Sequence, residues 1–496
     1  MLLTFFVVLC LLLCIISFSS TAFMYFLYRR AVLVAHLPGP PVKSRLFGHV
    51  PFIAKSIEKG HCREQYVFDC HLKYGEVLHV WLYHIPVVYT SNICAVRRLM
   101  NNPAHIKPRW VYFSLRSAIG QRFLGQGMLT NSDHSSWEKR HKSIRPGFQR
   151  RYLKCFLPTF NRIANKFVDR LLDIGKGGAP IAMKRMLEAF ALEVIAGVAF
   201  DEHLDSINNP NHVLRKSLVD ALHAVFQMMK SPFKTLLNWQ VVNQTREHCK
   251  RVRNVGTDII KRRLKQYSCE NANSKDDILD FIIRSAADDP TVTMEDMVDE
   301  FVTVFVAGHD TTATVLSFAL ERIILRPAIW KKMFDEIEMV LQERDDVEFD
   351  DLANMEYIGC VFKEILRLYP PTGCSIRTLS EEMTIAGYKL SPGVDVAAPL
   401  FVMHRFPDHW EKPLEFNPDR FRYENNSDLQ AFMPFALGPR ICVGRHFAEM
   451  EFKVLFAKML KRINFTLLEG QKNGVIAEAL LFTPLSDINC TIQARV

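Results

Sequence analysis

Three rhythms of apolar and polar residues divide the chain. The first 28 positions carry no charged side chain, and Arg29 and Arg30 follow at once. As a helix this run would extend about 42 Å, longer than the roughly 30 Å of a bilayer core. No basic stretch precedes it, and apolar residues continue past the small cluster Ser19 to Ala22. The pattern therefore predicts an uncleaved transmembrane signal anchor over 1–28 rather than a signal peptide. The positive-inside rule then places the remainder in the cytosol. His36-Leu-Pro-Gly-Pro-Pro41 cannot continue a helix, which predicts a basic, proline-rich hinge over 29–41.

The second rhythm is short and β-like. Val77 to Trp81 and Ile85 to Tyr89 are rich in β-branched and aromatic residues, and another such region covers about 374–400. The third is the helical period, dominant beyond residue 135. It predicts helices at 137–147, 157–174, 184–199, 211–230, 246–267, 294–325, 327–343, 356–368 and about 444–462. No linker composition interrupts the chain after residue 41. The expectation is a mainly α fold with a small β part (α+β), in one large domain over 42–496.

Composition narrows the class. Of 496 residues, 49% are hydrophobic and 23% charged, which excludes a disordered chain or a rod, and one long apolar run excludes a many-span transporter. The net charge is +9, without zinc-finger or RNP spacing, so nucleic acid is not the expected partner. A basic face suits membrane lipids or an acidic protein. The 12 cysteines are scattered without a CxxC pair. Neither a disulfide framework nor a structural zinc site is implied, and most read as buried apolar groups in a reducing compartment.

One cysteine stands apart. Phe435-Ala-Leu-Gly438-Pro-Arg440-Ile-Cys442-Val-Gly444 sets a thiol between two glycines just before a predicted helix, whose N-terminus favours a thiolate. In the helix predicted over 294–325, Ala307-Gly-His-Asp310-Thr311-Thr places an acid beside a hydroxyl, a proton-relay pair. Gly308 is expected to make room there by a local widening. Thr311 can bond back to the Ala307 carbonyl or turn toward a ligand. Glu364 and Arg367 are three apart on one helix face, followed by Tyr369-Pro-Pro371 and Phe416-Asn-Pro-Asp-Arg420-Phe421.

These motifs together resemble the cytochrome P-450 family, from the proline hinge to the C-terminus. The resemblance implies haem b (iron protoporphyrin IX) with Cys442 as its axial thiolate and metal ligand, in a loop that includes Phe435 and Gly444. It implies proton delivery by Asp310 and Thr311, and a structural triad of Glu364, Arg367 and Arg420. Trp137, Arg377 and Arg440 match positions that bind the haem carboxylates. Four residues after the tryptophan the family usually has arginine; this chain has His141, with Arg140 before it, so either is a candidate for that contact. Six basic residues lie among 137–151 against one acid, Glu138. By resemblance they face an acidic flavoprotein, an NADPH-cytochrome reductase, and Arg445 and Lys453 are expected to extend the patch.

The implied activity is a haem monooxygenase of the endoplasmic reticulum membrane, using O2 and electrons from NADPH through that reductase. Arg122 to Gly127, Leu366 to Pro371, Phe432 to Gly438 and Phe447 to Lys453 resemble the cholesterol 24-hydroxylase branch, which implies a sterol substrate. Phe113, Phe123, Phe226, Met228, Met229, Phe233, Phe301, Phe305, Val306, Ile376 and Leu481 are the expected apolar lining. The alternatives are a microsomal fatty-acid or xenobiotic hydroxylase, a haem-thiolate lipid-peroxide isomerase needing no reductase, a haem carrier, and a membrane-tethered helical protein without haem.

Overall fold

The computed structural model describes residues 2–231, 235, 237–268, 275–422, 427–471, 474, 476–477 and 481–495. It divides into two compact units, Met1–Ile106 with Cys374–Met403, and Lys107–Gly373 with His404–Val496.

In the first unit, helix α1 (Leu2–Val34) ends with Leu27 and Val34 buried, while Phe18, Met24, Tyr25 and Tyr28 stay exposed. Arg30 covers the Phe26 ring at 4.4 Å and donates to the His84 carbonyl at 3.5 Å. The proline segment is laid on a strand: the His79 N–H donates to Pro38 at 3.0 Å. A Cβ at Gly39 would come within 2.7 Å of the His79 ring and carbonyl, so only glycine fits. Helices α2 (Val50–Glu58), α3 (Arg63–Tyr74) and α4 (Ile93–Asn101) accompany strands β1 (Val77–Leu82), β2 (Ile85–Thr90), β3 (Ser375–Thr378) and β4 (Asp395–Ala398). The sheet order is β1-β2-β4-β3, with β2 and β4 parallel and the other pairs antiparallel. Both predicted strand regions are therefore present, and they belong to one sheet.

The second unit is mostly helical: α5 (Arg109–Arg116), α6 (His134–Ile144), α7 (Leu157–Ile174), α8 (Met183–Phe200), α9 (Val213–Lys230), α10 (Trp239–Tyr267), α11 (Ile278–Asp288), α12 (Met294–Ile324), α13 (Pro327–Leu341), α14 (Glu356–Leu368) and α15 (Arg445–Arg462). Helix α12 is its axis. Thr293 and Asp296 form a capping box at its start. Its apolar residues cover nearly every face because α8, α10, α11, α14 and α15 all pack on it. It is long and apolar enough to cross a membrane, yet most of it is buried inside the fold, as for a core helix.

Most helices from α6 onward match the sequence expectation within a few residues. Helix α10 begins seven residues early, because Asn238 caps it by accepting from the Val241 N–H at 3.2 Å. The period missed the short α11 and a C-terminal sheet of Ile463–Leu467, Asn489–Ala494 and Ile181–Ala182, whose third strand comes from far away in sequence.

Candidate active site

The loop before α15 is built by backbone conformation. Ala436 (φ 58°) and Gly438 (φ 72°) are both left-handed. The turn they make lets the Cys442 N–H donate to the Phe435 carbonyl at 2.9 Å. Gly444 caps α15 at an ordinary φ of −81°, so its backbone does not demand a glycine. A Cβ there would stand 3.9 Å from the Cys442 sulfur. The thiol is exposed although protein surrounds it closely enough for burial to push its pKa up. The cysteine is thus reachable from solvent while protein crowds around it. The Gly444 N–H, Arg445 and Lys107 oppose the burial and favour a thiolate. Lys107, which the sequence reading missed, carries no local motif; it donates to the Leu129 carbonyl at 2.6 Å.

Helix α6 supplies a second group. Trp137 and His141 are one turn apart with rings stacked at 4.6 Å. Arg440 from the cysteine loop lies over Trp137 at 3.9 Å and donates to the Asn131 carbonyl at 2.9 Å. His141 Nε2 is buried without a hydrogen-bond partner. Burial, Arg145 and Arg440 hold its pKa down, so the ring is neutral and has one N–H to give. Arg140 is engaged elsewhere: it donates to Asp296 at 2.9 Å and Glu300 at 3.5 Å on α12. Of the two candidates, His141 is thus the one left free for an anionic ligand. Arg377 lies in the other unit, buried on β3 opposite Val396, and donates to the Ile376 carbonyl at 2.9 Å and to Ser375 at 3.2 Å.

On α12 the buried surface is interrupted at Ala307, Gly308, Asp310 and Thr311, which are partly open. Thr311 is back-bonded, its hydroxyl donating to the Ala307 carbonyl at 2.6 Å. The expected widening at Gly308 is absent: the helix runs on unbroken. Gly308 serves packing instead, since a Cβ there would meet Ile195 Cδ1 of α8 at 2.5 Å. Burial and the nearby Glu188 raise the Asp310 pKa to about 6, against the pull of Lys184. Both residues are on α8 and had no signal in the sequence. The neighbouring His309 has its Nε2 3.1 Å from the Glu188 carbonyl.

The structural triad is present. Arg367, wholly buried, donates to Glu364 at 2.7 and 2.8 Å, and Arg420 donates to the same carboxylate at 3.3 Å. Arg367 also donates to the carbonyls of His404 and Pro413, which anchors α14 to the chain leading into the cysteine loop. Lys142, Arg145, Arg150, Arg151 and Arg445 are exposed, and Arg150 and Arg445 lie close enough to lower the pKa of the partly buried His446. Lys453 does not extend this patch: it is buried and donates to the Leu352 carbonyl at 2.7 Å.

Among the expected lining residues, Phe123 is fully buried and Phe301 is core, its ring tilted against Phe200 at 4.3 Å and set against the bare face of Gly256. Phe113 is 66% exposed. Phe233 lies outside the described residues. A groove of about 630 Å³ along α7, lined by Arg162, Lys166, Asp169, Arg170 and Asp346 among others, is charged and holds none of the motif residues.

Among the described residues no three His, Cys, Asp or Glu side chains gather to hold a metal, so Cys442 belongs to no such cage of protein ligands. A macrocycle that brings its own nitrogens and carboxylates suits such a site. The accessible Cys442 thiol and the orphaned His141 Nε2 both fit it.

A helical fold with a small sheet, and a lone thiol in the loop before a helix N-terminus, are compatible with a haem-thiolate protein. The family model for cytochrome P450 matches residues 38–490. Similar curated proteins include cytochrome P450 3A11 of Mus musculus (25% identical over 86% of this chain and 85% of the relative), cytochrome P450 3A29 of Sus scrofa (27%, 86% and 85%) and cytochrome P450 3A9 of Rattus norvegicus (28%, 80% and 80%). The chain belongs to the cytochrome P450 family. It is a monooxygenase that uses haem held by a cysteine thiolate, with electrons from NADPH delivered by a redox partner.

Proposed function

We propose that this protein is a monooxygenase anchored in the endoplasmic reticulum membrane by α1, with its catalytic body in the cytosol, that hydroxylates a lipophilic substrate of the sterol class. The observation that carries the reading is the Cys442 thiol, enclosed by protein yet open on one side. Cys442 would hold the haem iron through its thiolate. Trp137, His141 and Arg440 would hold the haem carboxylates, the first and last by ring N–H and guanidinium, and Arg377 of the other unit is the further candidate that the sequence resemblance adds. When bound, the haem supplies the oxidising chemistry on O2, and the thiolate donates electron density to it.

The chain's own groups do the rest. Asp310, with a pKa near 6, holds a proton at a pH where an ordinary aspartate has lost it. Thr311 stands one residue on, and its hydroxyl can leave the Ala307 carbonyl to pass that proton inward. This pair favours a reductive oxygenase over a lipid-peroxide isomerase, whose O–O bond is already made. Exposed Lys142, Arg150, Arg151 and Arg445 form the docking face for an acidic flavoprotein reductase. The sterol assignment rests on the sequence resemblance of four segments to the cholesterol 24-hydroxylase branch.

Difference spectroscopy of the purified protein against a lipid library tests the substrate class. A spin-state change saturating with sterols, and not with fatty acids, supports it. Saturation only by fatty acids replaces the substrate, and turnover of lipid peroxides without NADPH replaces the reaction.

A further inference from the structure

The loop Gln121 to Asn131 and helix α6 are both fastened to the first turns of α12, and the fastening is electrostatic. Four carboxylates stand there: Glu295, Asp296, Asp299 and Glu300. Three arginines meet them, one from each of three elements. Arg122 donates to Asp299 at 2.9 Å, Arg253 of α10 donates to Asp299 at 2.8 Å and pairs with Glu295, and Arg140 of α6 donates to Asp296 at 2.9 Å. The loop is pressed against α12 by its glycines. A Cβ at Gly125 would overlap the Asp299 carboxylate, and one at Gly127 would overlap the Thr303 hydroxyl. This is the structural content of Arg122 to Gly127, a segment the sequence reading marked only by resemblance.

Four negative groups against three positive ones leave one carboxylate short, and the geometry identifies it as Glu300. It is 2% exposed. Its Oε2 accepts from the Met128 N–H at 3.0 Å, and its Oε1 reaches Arg140 only at 3.5 Å, at the far side of the shorter Arg140–Asp296 pair. Burial and the adjacent Asp299 raise its pKa to about 7, against the Met128 N–H and Arg140. One side chain thus touches the loop on one oxygen and α6 on the other. Because Arg140 points to α12, Trp137 and His141 on the neighbouring face of α6 point to Arg440 and the cysteine loop.

We propose that Glu300 is a positioning residue for the haem site: its single buried carboxyl group clamps the Gln121–Asn131 loop and α6 to α12, and gaining or losing its proton tightens or loosens that clamp. Neutral, it keeps the hydrogen bond from the Met128 N–H and leaves Arg140 to Asp296; ionised, it is a buried charge beside Asp299 that Arg140 reaches only at 3.5 Å, and the contact opens to let water reach it. This rests on the reading that His141 and Trp137 meet the haem carboxylates.

The test measures haem transfer from the purified holoprotein to an excess of a haem-scavenging apoprotein. The wild type is expected to lose haem about three- to tenfold faster at about pH 8 than at about pH 6, and Glu300→Gln, which mimics the neutral carboxyl, at one rate throughout. The same pH ratio in both proteins overturns the proposal. Should Glu300→Gln fail to fold, Arg140→Gln removes the counter-charge while sparing the Met128 contact. It must shift the dependence to higher pH, and a wild-type dependence in it overturns the proposal. Failure of the haem reading itself would look different: the wild type would lack the absorbance of a thiolate-ligated haem at every pH.

Discussion

The guanidinium of Arg440 lies 3.9 Å over the indole of Trp137, joining the cysteine loop to helix α6. Beside that stack, one helix turn on, is a buried ring nitrogen without a partner, His141 Nε2. A site that leaves a neutral donor unpaired loses free energy unless an acceptor arrives. His141→Phe should therefore keep the fold and weaken haem retention by about three- to thirtyfold, the worth of one lost hydrogen bond. Unaltered retention in a scavenging assay would remove His141 from the haem contact.

Thr311 is the second case. Its hydroxyl is stored on the Ala307 carbonyl, so Thr311→Ala removes a relay group without uncovering a buried acceptor that α12 needs. Haem content and substrate binding should stay, while NADPH consumption uncouples from product and peroxide is released. Wild-type coupling in this variant contradicts the relay.

Asp310 adds a pH dependence with a definite sign. Its folded pKa, about 6, lies above its unfolded value. The stability it contributes is fully present below the unfolded value and is lost as pH rises through about 6. Asp310→Asn should thus be the more stable protein at neutral pH, by roughly 1–3 kcal/mol at most. Proton delivery should fall across the same range, so the alkaline decline in coupled turnover near pH 6 should vanish in Asp310→Asn. A melting curve and a pH profile check both; a profile identical to wild type contradicts the assignment.

Gly308 tests packing rather than chemistry. Gly308→Ala sets a Cβ 2.5 Å from Ile195 Cδ1 and should cost about 1–3 kcal/mol through overpacking of α8 on α12. Ile195→Val, which removes that methyl but keeps Cγ1 at 2.9 Å, should restore part of the loss. Absence of rescue would locate the strain elsewhere.

Local pattern carried the reading where the physics is local. The loop around Cys442 was legible because glycine, arginine and cysteine sit at fixed spacing, and Glu364–Arg367 because i and i+3 share a helix face. The helices followed from their apolar period, and α10 was misjudged at its start because its cap, Asn238, lies beyond the apolar stripe. What escaped depends on distant segments meeting. Lys453 looks like a surface lysine until Leu352 is found beside it. Gly308 looks like a flexible point until Ile195 is found against it. The choice between Arg140 and His141 turns on Asp296 and Glu300, more than 150 residues away in sequence.

The most direct test of the account is the absorption spectrum of the dithionite-reduced, carbon-monoxide-bound protein, wild type beside Cys442→Ser. The account predicts a red-shifted Soret band in the wild type and its loss in the variant. A band of histidine-ligated type in the wild type, or an unchanged red-shifted band in Cys442→Ser, would contradict it.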